Sequence, residues 1–177
     1  MTVLPQIRMT VDEFLAWVEE EPGRYELHHG MVHAMSPENA GHAEKKAAVY
    51  TALVAGIRAR GLPSYTLPDG MTVRIDETTA FEPDALVYCG PKLPSNAVVV
   101  PNPLIVVEVL SFSTRRINAS AKLAGYFKLS SAAHYLIVDL NERLIIHHAR
   151  STGDTILMHI ARRPPPHARP ARPGAFG

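Results

Sequence analysis

Glu108 is the residue whose surroundings most clearly suggest chemistry. It lies in the run Leu104 to Leu110, in which every other residue is aliphatic. Such a run is typical of a central strand that is buried on both faces. An ionised carboxylate in that position is costly unless it is protonated, paired or bound to a cation. The alternative is an edge strand on which Glu108 points to water.

A second acid, Asp84, stands at the start of another short apolar strand. Pro83-Asp84 opens directly into Ala85-Leu86-Val87-Tyr88, although a Pro-Asp pair alone can equally belong to a turn. Pairing of the two consecutive strands would bring the carboxylates of Asp84 and Glu108 together. Two close carboxylates raise one another's pKa unless a divalent cation binds both, and oxygen ligands suit Mg²⁺ or Mn²⁺. Such a cation can activate water and stabilise a phosphodiester under attack.

A lysine follows on the next predicted helix. Lys122 comes 14 residues after Glu108, and Tyr126 lies one helical turn further on the same face. An ammonium group beside an acidic metal site could orient the attacking water or stabilise the charged phosphate. The alternative for Lys122 is an ordinary solvated helix lysine.

The elements that must position these residues are readable from the sequence. Thr10 and Glu13 form a capping box that predicts a short amphipathic helix. The longest predicted helix runs from His42 to Arg60 and is stopped by Gly61. Other patterns predict a hairpin over residues 25–35, strands over 71–76 and 85–88, a hairpin over 135–147 and a last strand over 155–161.

Length and composition fit one globular domain. The chain has 177 residues, of which 46% are hydrophobic and 20% are charged. We predict a single domain over residues 1–161 and a flexible tail over residues 162–177, because the tail has five prolines, four arginines and no acid. No apolar stretch approaches the ~20 residues of a membrane span, and no secretory signal is readable. We therefore expect a cytoplasmic protein that does not contact a membrane.

Charge and side-chain chemistry exclude several classes of protein. The formal net charge is +1, but with the four tail arginines set aside the chain has 14 basic against 17 acidic residues. A general nucleic-acid-coating protein would show a basic field, so action on a polyanion would need a metal ion. The single cysteine, Cys89, excludes a Cys-rich zinc site. The histidines form no His-Glu-x-x-His pattern, although His42 could approach the acidic site.

Six short motifs occur in a characteristic order. They are Tyr25-Glu26-Leu27, His42 at the start of the long helix, Phe81-Glu82-Pro83-Asp84, Val107-Glu108-Val109-Leu110-Ser111, Ser113-Thr114-Arg115-Arg116 and Lys122-Leu123-Ala124. Together they resemble the Uma-two family of putative restriction endonucleases, within the PD-(D/E)XK nuclease superfamily. The resemblance extends from about Met9 to His148.

The resemblance implies an α/β fold with a restriction-endonuclease-like core, in which a mixed β-sheet is flanked by helices. It implies that Asp84 and Glu108 bind Mg²⁺ or Mn²⁺, and that Glu26, an extra acid from outside the central hairpin, is a third metal ligand that acts directly or through water. The lysine of the superfamily would fall at Leu110, and Lys122 is expected to replace it. The implied activity is metal-dependent hydrolysis of DNA phosphodiester bonds.

The resemblance also suggests partners and an alternative. Arg115 and Arg116 are candidate phosphate contacts, His42 is a further nucleic-acid contact, and a homodimer is expected by analogy with nucleases of this fold. Phe112 replaces a usual proline, Asn118 replaces a common aspartate, and the Pro/Arg tail replaces a terminal strand. These departures favour the alternative of a catalytically weakened or inactive nuclease-fold protein that binds nucleic acid or a protein partner.

Overall fold

Two β-sheets and three helices make up the described part of the chain. The computed structural model describes residues 2–3, 8–110, 119–153 and 155–162. The helices are α1 (Val11–Val18), α2 (Ala40–Ala59) and α3 (Ala119–Lys128). The strands are β1 (Thr2–Val3), β2 (Tyr25–His28), β3 (Met31–Ala34), β4 (Ser64–Pro68), β5 (Val73–Asp76), β6 (Thr79–Phe81), β7 (Ala85–Cys89), β8 (Pro103–Val109), β9 (His134–Asp139), β10 (Leu144–Arg150) and β11 (Ile156–Arg162).

The first two helices form as predicted, but α1 ends at Val18, before the predicted end near Pro22-Gly23, and α2 begins at Ala40, two residues before His42. The hydroxyl of Thr10 accepts a hydrogen bond from the Glu13 backbone N–H, and the Glu13 carboxylate accepts one from the Thr10 N–H, so the capping box of α1 is confirmed. The side chain of Asn39 caps α2 by accepting from the His42 N–H at 3.0 Å. Gly61 follows α2 with φ +59°, a left-handed conformation that glycine adopts at little cost.

The larger sheet has six strands in the order β11-β10-β9-β8-β7-β4. Its neighbouring strands are antiparallel except for β8 and β9, which are parallel and joined by the crossover helix α3. The strand that carries Glu108, β8, therefore pairs on both sides, with β7 and β9. The prediction of a central strand is confirmed, and the edge-strand alternative is wrong.

The smaller sheet has the order β1-β3-β2-β6-β5 and is antiparallel throughout. The predicted hairpin over residues 25–35 forms β2 and β3, but β1 and β6 of this sheet and β4 of the larger sheet are absent from the sequence prediction. The missed strands β1, β4 and β6 are short, with two, five and three residues, and β6 is buried at every position. A short strand offers few positions at which alternation can be recognised, and burial of β6 on both faces removes the alternating pattern of a half-buried strand.

Helices cover the two faces of the six-stranded sheet. On one face, Tyr126 of α3 packs in a core cluster with Val106 and Tyr135 of the sheet and with Phe81 of the smaller sheet. On the other face, α2 contributes two partly buried residues to a cluster centred on β8 and β9; these residues are Val49 and Leu53. The acidic residues lie where β7 begins and β8 ends, with α2, α3 and the smaller sheet around them.

The carboxyl-terminal boundary lies close to the prediction. Strand β11 includes Arg162, one residue beyond the predicted end of the domain at 161, and residues 163–177 lie outside the described part of the chain. The division into a domain and a flexible tail therefore stays a prediction. In the described ranges, none of the helices combines the length and apolar character that crossing a membrane requires.

Candidate active site

The pairing of β7 with β8 places Asp84 and Glu108 at the same level of two neighbouring strands. In this antiparallel pair Ala85 lies opposite Val107, so the next residue of β8, Glu108, is level with Asp84. The Asp84 backbone N–H donates to the Val107 carbonyl at 3.0 Å, and the Val109 N–H donates to Asp84 Oδ2 at 2.6 Å. Asp84 is thus a buried acid whose side chain is hydrogen-bonded to the end of β8, and it is more than a residue of a turn.

Glu108 is the acid with the most strongly raised pKa in the site. Its side chain is 15% exposed, and Oε1 accepts hydrogen bonds from Lys122 Nζ and from the Tyr126 hydroxyl, both at 2.9 Å. Burial, together with the charges of Asp84 and Glu26, outweighs the attraction of Lys122 and raises the pKa of Glu108 to about 7. The carboxyl can therefore exchange a proton near neutral pH.

Glu26 reaches the site from β2 of the smaller sheet. Its side chain is fully buried, Oε1 accepts from Lys122 Nζ at 2.8 Å and from the Glu82 N–H at 2.9 Å, and Oε2 lies 3.1 Å from His28 Nε2. Burial would raise the pKa of Glu26, but the charge of Lys122 and these hydrogen bonds lower it to about 2. Glu26 is therefore a permanently ionised acid whose two oxygens both have partners.

Lys122, on helix α3, bridges the two acids Glu26 and Glu108. Its side chain is 7% exposed, which makes the solvated-lysine alternative wrong, and Nζ bridges Glu26 Oε1 and Glu108 Oε1. Burial alone would lower the pKa of Lys122, but the charges of Glu108 and Glu26 raise it above its usual value. The ring of Phe81 lies 5.7 Å below the ammonium group, within cation–π range. Lys122 therefore stays a cation at the centre of the site.

A second buried lysine, absent from the sequence prediction, contacts Asp84. Lys46 of α2 has its Nζ 2.5 Å from Asp69 Oδ2, 2.7 Å from Glu38 Oε1 and 3.3 Å from Asp84 Oδ1. It is the one residue of α2 that is buried. Lys46 lies four residues after His42, so it shares a helix face with a motif residue; that spacing is the signal by which it could have been found.

Arg24 and His42 contact the acids that surround Lys46. Arg24 donates to Asp69 Oδ2 at 2.9 Å and also binds Glu82. His42 has Nδ1 2.6 Å from Glu38 Oε1 and Nε2 2.9 Å from the carbonyl of Val109. The structure thus places His42 beside the end of β8. Arg115 and Arg116, like Phe112 and Asn118, lie outside the described residues.

Two of the three predicted ligands, Asp84 and Glu108, suit a divalent cation that prefers oxygen ligands. Mg²⁺ typically binds through one or two carboxylates and keeps several water ligands, and the repulsion between Asp84 and Glu108 that raises the pKa of Glu108 is what a cation would relieve. Both oxygens of Glu26 have partners at 2.8 to 3.1 Å, whereas the contact of Asp84 Oδ1 to Lys46 is longer, at 3.3 Å. In the residues that the structure describes, no group of three or more His, Cys, Asp or Glu side chains is arranged to hold a metal. The fit is therefore to Asp84 and Glu108.

A mixed sheet with helices on both faces makes this chain a mixed α/β protein. The sequence profile of the Uma-two family, described as a putative restriction endonuclease family, matches residues 11–171, and the chain belongs to this family. The restriction-endonuclease-like α/β fold that the motifs implied is confirmed.

Two relatives illustrate the similarity. The uncharacterized protein slr1290 of Synechocystis sp. is 24% identical over 165 residues, which cover 88% of this chain and 82% of that protein. The crystal structure of a putative nuclease belonging to DUF820 from Anabaena variabilis superposes with a TM-score of 0.65 at 13% identity, over 88% of this chain and 86% of that one. At this identity the superposition shows a shared fold.

Proposed function

We propose that this protein is a metal-dependent endonuclease that hydrolyses DNA phosphodiester bonds. Its family supports nuclease activity in general. The observation that carries the specific proposal is the juxtaposition of Asp84 and Glu108 at the paired ends of β7 and β8, with the Lys122 ammonium 2.9 Å from Glu108. Buried acids of this kind beside a fixed cation are typical of sites that handle charged reacting groups.

Asp84 and Glu108 would hold Mg²⁺ or Mn²⁺, which would activate water and stabilise charge on the phosphate. Lys122 Nζ, fixed by two carboxylates, is placed to stabilise negative charge that develops beside Glu108. The Tyr126 hydroxyl has its pKa raised by burial and by the charge of Glu108, so it stays protonated and fixes Oε1. Glu26 acts as a positioning residue for Lys122. It would also assist in holding the metal ion, directly or through a water molecule.

The finer features of the proposal concern partners. Arg115, Arg116 and His42 are proposed DNA contacts; the ring of His42 contacts Glu38 and the Val109 carbonyl beside the end of β8. A homodimer is proposed because edge strand β11 exposes large apolar side chains, with Met158 59% and Ile160 61% exposed. Sedimentation should give a dimer that Ile160→Glu dissociates; a wild-type monomer would contradict this part. A cytoplasmic location stays a prediction from the sequence.

Plasmid nicking tests the activity. Supercoiled DNA should be cut in the presence of Mg²⁺ or Mn²⁺, and Asp84→Asn and Glu108→Gln should each lower the rate by about 100-fold or more. Asp12→Asn is the matched control, because Asp12 pairs with Arg74 on the surface away from the site. Cleavage that neither site variant reduces would remove the proposed site.

The second candidate is a nuclease-fold protein that binds nucleic acid without cutting it. It is favoured by the absence, within the described ranges, of a three-residue metal group. A folded protein that shifts DNA in a gel but leaves plasmid intact with either metal ion would support this candidate over the endonuclease.

A further inference from the structure

Lys46 is buried in a position that local helix packing does not explain. Its side chain is 7% exposed and its ammonium group faces three carboxylates, from Glu38, Asp69 and Asp84. Each carboxylate comes from a different part of the chain, so the contacts require the folded arrangement of α2, β4 and β7. A lysine held in this way has its charge directed at Asp84, the first acid of the proposed site.

The two shorter contacts of Lys46, to Asp69 and Glu38, hold its ammonium group in place. Asp69 is itself fixed by Arg24 at 2.9 Å, and Glu38 is fixed by His42 at 2.6 Å. The contact to Asp84 Oδ1, at 3.3 Å, is the longest of the three. Lys46 is therefore anchored by Asp69 and Glu38. It contacts Oδ1 of Asp84, whose other oxygen, Oδ2, accepts a hydrogen bond from the Val109 N–H.

We infer that Lys46 is a positioning residue that fixes Asp84 and limits the affinity of the acidic pair for a divalent cation. The inference rests on the proposed function, since it concerns a cation bound by Asp84 and Glu108. Lys122 contacts Glu108, so each acid of the pair has its own lysine, delivered by a different helix. An ammonium group this close to a ligand repels a bound cation, and the repulsion is strong where water is excluded.

Removal of the Lys46 charge should tighten cation binding. Lys46→Met has a side chain of similar length without charge, and Lys46→Gln is a second neutral variant that keeps hydrogen-bonding capacity if Lys46→Met folds poorly. For either variant we expect the Kd for Mn²⁺, measured by titration calorimetry on the full chain, to fall by about tenfold or more. Lys46→Arg keeps the charge and should bind Mn²⁺ nearly as the wild type does.

Lys45→Met is the matched control. Lys45 is the preceding residue of the same helix, and its Nζ contacts Asn141 Oδ1 at 2.7 Å, outside the acidic cluster. Its loss removes the same charge from the chain but should leave the Kd for Mn²⁺ unchanged. A merely structural role of Lys46 would lower the melting temperature of both neutral variants without tightening Mn²⁺ binding.

The outcomes separate the two claims. Tighter Mn²⁺ binding in Lys46→Met or Lys46→Gln, with Lys45→Met and Lys46→Arg unchanged, supports the inference. If the wild type binds Mn²⁺ and Asp84→Asn does not, but the folded Lys46 variants bind no more tightly than Lys45→Met, the inference is overturned and the metal site stands. If neither the wild type nor any Lys46 variant binds Mn²⁺, the metal site of the proposed function fails.

Discussion

Replacement of Lys122 by methionine is expected to destabilise the protein strongly. The ammonium group lies 2.8 Å from Glu26 Oε1 and 2.9 Å from Glu108 Oε1, and both carboxylates are removed from water. Methionine fills a similar volume but leaves these acids without their shared cation. Removal of one partner of a buried ion pair typically costs about 3–5 kcal/mol, and we expect a loss of unfolding free energy in that range at pH 7.

The pKa of Glu26 gives a second route to the magnitude. The fold lowers it from 4.5 to about 2, and at about 1.4 kcal/mol per pKa unit this corresponds to about 3 kcal/mol. A pKa that is depressed in the folded state contributes stability that is present above the unfolded value of 4.5 and is lost as the pH falls toward 2. Without Lys122 the pKa of Glu26 rises, so the cost of Lys122→Met should be largest near neutral pH and smaller at pH 4.

Urea unfolding of the wild type and Lys122→Met at pH 7 and pH 4 measures this cost. Lys128→Met is the matched control, because Lys128 lies on the same helix but is 53% exposed and pairs with Asp76 at 2.8 Å; surface pairs contribute at most about 1 kcal/mol. Glu26→Gln added to Lys122→Met should recover part of the loss. A loss in Lys122→Met no greater than in Lys128→Met would refute the assignment of Lys122 as a buried bridging cation.

Three further predictions follow from the same geometry. The fold raises the pKa of Glu108 from 4.5 to about 7, so its contribution to stability is full below pH 4.5 and is lost as the pH rises through 7. The unfolding free energy of the wild type should therefore fall between pH 5 and pH 8, and that of Glu108→Gln should change less. Equal pH dependence of the two proteins would contradict this prediction. Mn²⁺ should raise the melting temperature more at pH 8 than at pH 5, since protons compete with the cation for Glu108, and Asp84→Asn should abolish the effect; an equal rise in that variant would point to binding elsewhere. Gly125→Ala should destabilise by about 1–3 kcal/mol despite the higher helix propensity of alanine, because its Cβ would lie 2.7 Å from the buried Phe81 ring; a stabilised variant would show that the ring can move aside.

The sequence was sufficient to predict the elements that carry Asp84 and Glu108. Each acid adjoins a run of aliphatic residues, and burial of such runs forces the attached carboxylate into the interior, where it needs a partner. The crossover from β8 to β9 through α3 also follows from local patterns, because helical spacing around Lys122 separates two apolar runs. These predictions depend on neighbours within a few residues, which a single sequence displays.

The contacts that complete the site depend on distant parts of the chain. Lys46 meets Asp69 and Asp84 only after β4 pairs with β7, and the local signal that distinguishes it from Lys45 is only its four-residue spacing from His42. Asp69 fits the chemistry of a Pro-Asp-Gly turn, so local reasoning has no reason to assign its carboxylate a role 45 residues away at Arg24. Glu26 was identified through the family resemblance, because an acid in a short hairpin strand carries no local sign of burial.

The position of Lys122 explains why an acid from the second sheet accompanies it. Residue 110, where the motif resemblance would place a lysine, is Leu110, which packs against the core, and Lys122 of α3 contacts Glu108 instead. A buried ammonium needs a reliably ionised partner, and burial beside other acids raises the pKa of Glu108, which makes it the less readily ionised of the two acids. Glu26, with a pKa of about 2, is ionised throughout. It can therefore hold Lys122 while Glu108 takes up or releases a proton, which a lysine paired with Glu108 alone would oppose.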